Sequence, residues 1–224
     1  MRKIDKTCNL STKYYNWQEL LEKGKIAHPE YTATFRFYWD VVMNLFYCQK
    51  GLCAYTEKRI CPKHYYEKSK WDKGRYKRTN YVPNKPKIKG ELEHFDTVIK
   101  TAQGWLWDNL FMADSDINSK GKGMMKVSPI LKPDSSKYDA YALLEYDLSK
   151  HIYIANPSLP KSKRDLINPI LDAIINFDTV IDERKNYLTP RLKLIEMNID
   201  DWNSEQDEFP TAFEMIKRSK TKKK

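Results

Sequence analysis

The sequence predicts an α+β chain in which helical segments at both ends enclose a small centre of strands. Three patterns carry that expectation. Phe35, Tyr38, Val42 and Leu45 recur at helical spacing between Tyr31 and Tyr47. Two short strand candidates, Glu91–Phe95 and Trp105–Met112, precede a polar, glycine-ended run from Asp114 to Gly123. Leu144, Tyr146 and Leu148 alternate with polar residues, and Ile152 and Ile154 resume the alternation, as a half-buried hairpin requires. With 224 residues, folding buries roughly 70% of the unfolded surface, so a large core forms without help from disulfides.

In chain order, a helix around Tyr15–Leu21 and the longer periodicity over Tyr31–Tyr47 make residues 1–50 a helical cover. The aromatic stripe of Phe35, Tyr38, Trp39 and Phe46 reads as core. A central unit spans 51–127 and carries a basic insertion at 62–90, where Pro83, Pro86 and the density of lysine argue against regular structure. The order strand, strand, short helix follows over 91–123. Residues 128–216 supply the hairpin and further helices, with Asn168-Pro169 expected to cap and open a helix through Ile170, Ile174 and Ile175. Residues 217–224 read as a frayed basic tail.

Lys and Arg number 40 against 30 Asp and Glu, a net charge of +10. The excess is local: 62–90 holds ten basic residues against two acidic ones, and the last eight residues add six. Interleaved with Tyr65, Tyr66, Trp71, Tyr76 and Tyr81, the first stretch suits phosphates together with bases, which makes nucleic acid the leading partner class. A merely solvated lysine-rich loop is the competing reading. The most apolar run, Phe35 to Tyr47, is interrupted by Arg36, Asp40 and Asn44, so neither secretion nor membrane spanning is expected. Cys8, Cys48, Cys53 and Cys61 are then expected as reduced thiols in a cytoplasm.

His94, directly after Glu93 in a strand candidate and ahead of Asn109 and Asn118, is the chemically suggestive histidine. Hydrolysing a phosphodiester needs a base to activate water, a divalent cation at the phosphate, and oxygen ligands to hold that cation. His94 offers the base. Asn118 and a carboxylate offer hard oxygen donors of the kind magnesium takes.

Glu93-His94-Phe95, Trp107-Asp108-Asn109-Leu110 and Asn118-Ser119-Lys120-Gly121, in that order, resemble the HNH endonucleases of the ββα-metal fold. Asn109 followed nine residues later by Asn118 within Ser-Asp-x-Asn is also similar to the HNH domain of type II CRISPR nucleases. Cys53-Ala54-Tyr55 fits the first knuckle of that family. The region Pro129 to Pro133 and the hairpin after it resemble the PtuB-type HNH proteins of Septu and retron-associated phage defence.

The resemblance implies an HNH nuclease core within 51–127 that cuts DNA or RNA with Mg2+ or Mn2+. It implies His94 as general base, Glu93 and Asn118 as metal ligands, and Asn109 as the residue that orients the base or braces its loop. Lys120 or Lys122 is expected on the scissile phosphate, with Arg75, Lys77 and Arg78 of the insertion gripping the substrate. The implied partner is an ABC-type, PtuA-like ATPase, alone or within a retron complex. Adjacent strand residues face opposite ways, so Asp96, Asp114 and Asp116 stay open as alternatives to Glu93.

Many family members carry two Cys-x-x-Cys pairs for a structural zinc, which this chain lacks: Thr56 stands where the partner of Cys53 belongs, and Asp114 and Ile117 stand at the other two positions. A structural zinc is therefore not expected. Cys48, Cys53, Cys61 and His64 remain as a different tetrahedral set, at spacings that match no standard knuckle. The altered knuckles also motivate an alternative function, a catalytically inactive HNH-fold subunit for nucleic-acid binding or assembly. An EF-hand beginning at Asp114 fails at Ser119 and Met125, and Gly121-Lys122-Gly123 lacks the flanks of a phosphate-binding loop, so no nucleotide site is expected in this chain.

Overall fold

Ser11 opens helix α1 (Thr12–Glu22): its Oγ accepts the Tyr14 amide at 3.2 Å, satisfying one of the unpaired N–H groups of the first turn. Tyr14, Trp17, Gln18 and Leu21 form its buried stripe. This is a computed structural model, and it describes residues 1–77, 88–123, 125–199, 201–202 and 207–221. Helix α2 (Tyr38–Gln49) begins later than the periodicity from Tyr31 predicts. Phe35 and Phe37 precede it in turns and still deliver their rings to the core, Phe35 lying 4.1 Å from Trp105 and 4.9 Å from Trp17 between centroids. The aromatic stripe is core, as expected, with Phe46 fully buried and Tyr38 and Trp39 packed against it.

The described part of 62–90 is ordered, against expectation. Helix α3 (Lys63–Tyr66) and a 3-10 turn at Lys68–Lys70 lead into a hairpin of β1 (Trp71–Asp72) and β2 (Arg75–Tyr76). Its tip docks on the start of α1. Gly74 has φ +74°, and a Cβ there would lie 1.9 Å from Thr12 Oγ1, so only glycine allows the approach. The Ser11 hydroxyl donates to the Gly74 carbonyl at 3.1 Å, and the Tyr76 amide donates to Asp40 at 2.6 Å. Pro83 and Pro86, which motivated the loop reading, lie outside the described residues.

Strands β3 (Gly90–His94) and β4 (Leu110–Asp114) pair antiparallel, with Gly90 opposite Asp114 and His94 opposite Leu110. Short helix α4 (Lys100–Gln103) lies in the connection, and one wide, π-type helical turn at Ile117–Lys122 follows β4. The expected order strand, strand, short helix appears as two strands and a single π-type turn, and the second strand starts at Leu110 because Trp107–Asn109 form a 3-10 turn. β4 is buried along its whole length. Its outer edge is closed by a side chain: Gln49 accepts the Met112 amide and donates to the Met112 carbonyl, both at 2.8 Å. A third strand is not needed to satisfy it.

In the C-terminal layer, helix α5 (Ala140–Leu143) leads into strands β5 (Leu144–Asp147) and β6 (Ile152–Ala155). The hairpin is where the sequence placed it, but the phase of β6 is reversed. Leu144 opposes Ala155 and Tyr146 opposes Tyr153, and opposed residues share a face, so Tyr153 and Ala155 point inward while Ile154 is 37% exposed. Asn176 closes the β6 edge, accepting the Tyr153 amide at 2.8 Å and donating to its carbonyl at 2.7 Å.

Helix α6 (Lys161–Ile170) starts behind Pro160, so Asn168-Pro169 stands near its end and not at its beginning. Pro169 has no N–H to continue the ladder, and the chain widens into a π-type turn over Leu171–Ile175. Helix α7 (Asp178–Glu196) and helix α8 (Pro210–Thr221) complete the layer. The first part of the expected frayed tail is thus the last turn of α8. Buried Glu57 ties that helix to the central unit by accepting the Thr211 amide at 2.9 Å. Residues from 1–50, 51–127 and 128–216 share one hydrophobic core. Among the described residues no helix is long and apolar enough to cross a membrane.

Candidate active site

The end of β3 and the Ile117–Lys122 turn bring together most of the residues singled out by the sequence. His94 is buried, at 2% exposure. Its Nε2 lies 2.8 Å from the Gly104 carbonyl, and its ring meets the ring of Tyr31 edge-on at 4.6 Å. A carbonyl only accepts, so Nε2 carries the proton and Nδ1 keeps a free lone pair. Burial, reinforced by the charges of Lys100 and Lys122, pushes the imidazole down to about 4, the Gly104 bond opposing. At neutral pH the ring is an uncharged base.

Asn109 is 6% exposed and holds the turn that follows His94. Its Oδ1 accepts the Asp96 amide at 2.7 Å, its Nδ2 donates to the Asp96 carbonyl at 3.0 Å, and its own carbonyl accepts the Phe95 amide at 2.9 Å. Of the two roles left open for it, bracing the loop is the one its contacts perform. Asp96 is engaged in that turn, its Oδ1 accepting the Val98 amide at 2.9 Å.

Glu93 faces the other way from His94, as strand geometry requires. It is buried and ion-paired with Lys122, whose ammonium donates to the His94 carbonyl at 3.0 Å. Burial pushes the Glu93 carboxyl above the usual range, with Lys122 pulling it back. Lys122 is fully buried, so it is not placed for the phosphate contact expected of it. Lys120 is exposed and pairs with Asp116 at 2.9 Å. Glu91, two residues before Glu93 and on the same face, accepts a hydrogen bond from Asn118 Nδ2 at 3.2 Å. Asn118 Oδ1 remains as an oxygen donor. Asp114 is held by Lys58 at 3.4 Å and by the Asp116 amide at 3.0 Å, which leaves it a part of the turn.

Glu91 and Glu93 lie on one face of β3 and Asn118 joins Glu91 there, and carboxylate and amide oxygens are the donor types that Mg2+ or Mn2+ takes. Among the described residues no group of three or more His, Cys, Asp or Glu side chains is placed to hold a metal ion. Cys53 and Cys61 are buried, Cys48 is half-buried and Cys8 is exposed, all as free thiols. Cys53 Sγ accepts the Asp114 amide at 3.4 Å, while Cys48 donates to the Cys8 carbonyl at 3.4 Å.

The insertion residues divide. Arg75 spends its guanidinium within the fold, on Asp40 at 2.8 Å and the Arg36 carbonyl at 2.7 Å, and it lies over the Phe37 ring. Lys77 is exposed, 3.8 Å from Asp72. Arg78 lies outside the described residues. Lys100, Tyr31, Gly104 and Glu91 were not found from the sequence. Lys100 is exposed, makes no ion pair among the described residues, and sits 5.1 Å above the Tyr31 ring that packs on His94. Only Glu91 left a trace in the sequence, the Glu-x-Glu alternation that puts two carboxylates on one face of a strand.

Compared with known proteins, the chain matches no protein-family model, and no curated protein matches it.

Proposed function

We propose that the chain is a metal-dependent HNH endonuclease that hydrolyses phosphodiester bonds in DNA or RNA. The observation that carries the reading is His94: a buried, neutral imidazole with its Nε2 proton committed to a backbone carbonyl, on the strand whose opposite face carries the carboxylates of Glu91 and Glu93, in the order strand, strand, helical turn. Glu93, Asn118 and Glu91 would hold a divalent cation, which when bound would neutralise charge developing at the phosphate and the leaving oxygen. His94 Nδ1 takes the proton of the attacking water. The Gly104 carbonyl fixes the tautomer beforehand and stabilises the imidazolium that forms. Asn109 acts as a positioning residue by holding the turn after His94. Lys100, at the mouth of the site, is the cation available to a substrate phosphate.

The resemblance supports the wider setting, in which an ABC-type, PtuA-like ATPase of an anti-phage complex, with or without a retron, restrains or triggers the nuclease. The second reading, an inactive binding or assembly subunit, draws on the Glu93–Lys122 pair, which closes one ligand position. Cleavage of plasmid, single-stranded DNA and total RNA with Mg2+ or Mn2+, with and without the co-expressed ATPase, separates the two. The nuclease reading expects cutting by the wild type that His94→Ala and Asn118→Ala abolish while leaving the fold intact. No cutting under any condition, with nucleic-acid binding unchanged in both variants, favours the binding subunit.

A further inference from the structure

A carboxylate as buried as Glu93 needs a positive charge beside it or a proton on it. The structure supplies the charge from the end of the Ile117–Lys122 turn. The Glu93 and Lys122 side chains are 6% and 0% exposed. The ammonium also donates to the His94 carbonyl at 3.0 Å, so one group touches the candidate ligand and the backbone of the candidate base. It is held there by packing from behind. Gly121 lies against the Leu171–Ile175 turn, and a Cβ on it would come within 2.7 Å of the Ala173 carbonyl.

We propose that Lys122 is the resident counter-cation of the site: its ammonium occupies the position on Glu93 that a divalent ion takes, and metal loading is an exchange of one cation for the other. The inference rests on the metal-dependent reading above. The exchange balances without a chemical step, since the ammonium withdraws with its three protons as the ion arrives. Two properties follow. The apo fold does not need metal, because Glu93 is already paired. Metal affinity is reduced by whatever it takes to displace Lys122. Both side chains of the pair are buried, and a divalent ion carries twice the charge of the ammonium, so it offers the carboxylate the stronger partner.

The test uses the full chain and measures Mn2+ binding by titration calorimetry and by loss of the free-ion EPR signal, in wild type, Lys122→Met, Glu93→Gln and the double variant. The expected result is at least tenfold tighter Mn2+ binding by Lys122→Met, with a melting temperature raised more by Mn2+ than in wild type, and both gains lost in the double variant. Equal or weaker binding by Lys122→Met overturns the exchange alone. Mn2+ bound by none of the four proteins overturns the metal-dependent reading and the exchange with it.

Should Lys122→Met fail to fold, wild type labelled with 13C at lysine ε-carbons gives the answer. With Lys122→Gln identifying the signal, Mg2+ is expected to move one buried-lysine resonance to the solvated position. A resonance that stays put while Mg2+ binds overturns the exchange.

Discussion

Replacing Asn109 by Ala removes two hydrogen bonds to Asp96, of 2.7 and 3.0 Å, from a side chain that is 6% exposed. Each is worth about 1 kcal/mol net, and a backbone group left without a partner costs about 1–3 kcal/mol. Asp96 is half-buried, so water satisfies part of what is lost, and the expected destabilisation is about 2–3 kcal/mol. At about 2–4 °C per kcal/mol for a chain of this size, the melting temperature falls by about 4–12 °C. Urea unfolding followed by tryptophan fluorescence measures the free energy, with Asp108→Ala as control; that neighbour is exposed and is expected to change stability by less than about 0.5 kcal/mol. Cutting is expected to fall further than nucleic-acid binding, because the turn that slackens is the one after His94. An Asn109→Ala protein as stable as the control, with unchanged cutting, refutes the bracing role.

Other outcomes are expected elsewhere. The folded pKa of His94, about 4, lies below its ordinary 6.5, so the stability due to its neutral form is complete above 6.5 and is lost as pH falls towards 4. At about 1.4 kcal/mol per pH unit that loss is on the order of 3 kcal/mol, and His94→Gln is expected to remove this acid slope from urea unfolding measured between pH 4 and 7. Gly121→Ala meets the Ala173 carbonyl at 2.7 Å and is expected to cost about 1–3 kcal/mol, with weaker Mn2+ binding as the turn bearing Asn118 is pushed aside. Arg75→Gln leaves buried Asp40 without its ion pair and is expected to lower the melting temperature, whereas Lys77→Gln is not. Lys100→Gln is expected to leave stability unchanged while weakening nucleic-acid binding and reducing the slope of log K against log salt by about 1, measured by fluorescence anisotropy.

The parts of this fold that were legible in the sequence are those set by neighbours along the chain. The short strand candidates Glu91–Phe95 and Trp105–Met112 and the glycine-ended run after them point to two strands and a turn, and they put Glu93, His94, Asn109 and Asn118 in one region. The parts not legible depend on partners distant in sequence. Nothing marks Gly104 as the acceptor for His94, since every residue has a carbonyl. Lys122 looks like any other lysine of a basic run until packing buries it against Glu93. Local charge interleaved with aromatic residues points Arg75 at substrate, although Asp40, far upstream, takes its guanidinium. The phase of β6 followed from pairing with β5 and not from its own pattern. The start of α6 was missed because Lys161-Ser162-Lys163-Arg164 shows no apolar period, and its buried residues, Ile167 and Ile170, come only near the end.

The wall around His94 comes largely from outside the segment that holds the motifs. Tyr31 meets its ring, Trp105 packs on Tyr31 at 5.0 Å and donates from Nε1 to the Glu30 carbonyl at 3.2 Å, and the Tyr14 hydroxyl donates to the Trp105 carbonyl at 2.6 Å. A fragment excised at 51 and 127 keeps all three motifs and Trp105 but loses Tyr31 and Tyr14, the part of the aromatic shell that comes from the first 50 residues. The Gly104 carbonyl that fixes the tautomer stays with the fragment, but the ring loses the Tyr31 cover that helps to bury it. Motif and working site are separable inheritances in this chain. Shortening or grafting the segment 51–127 is expected to keep the His94 environment only if the first 50 residues travel with it.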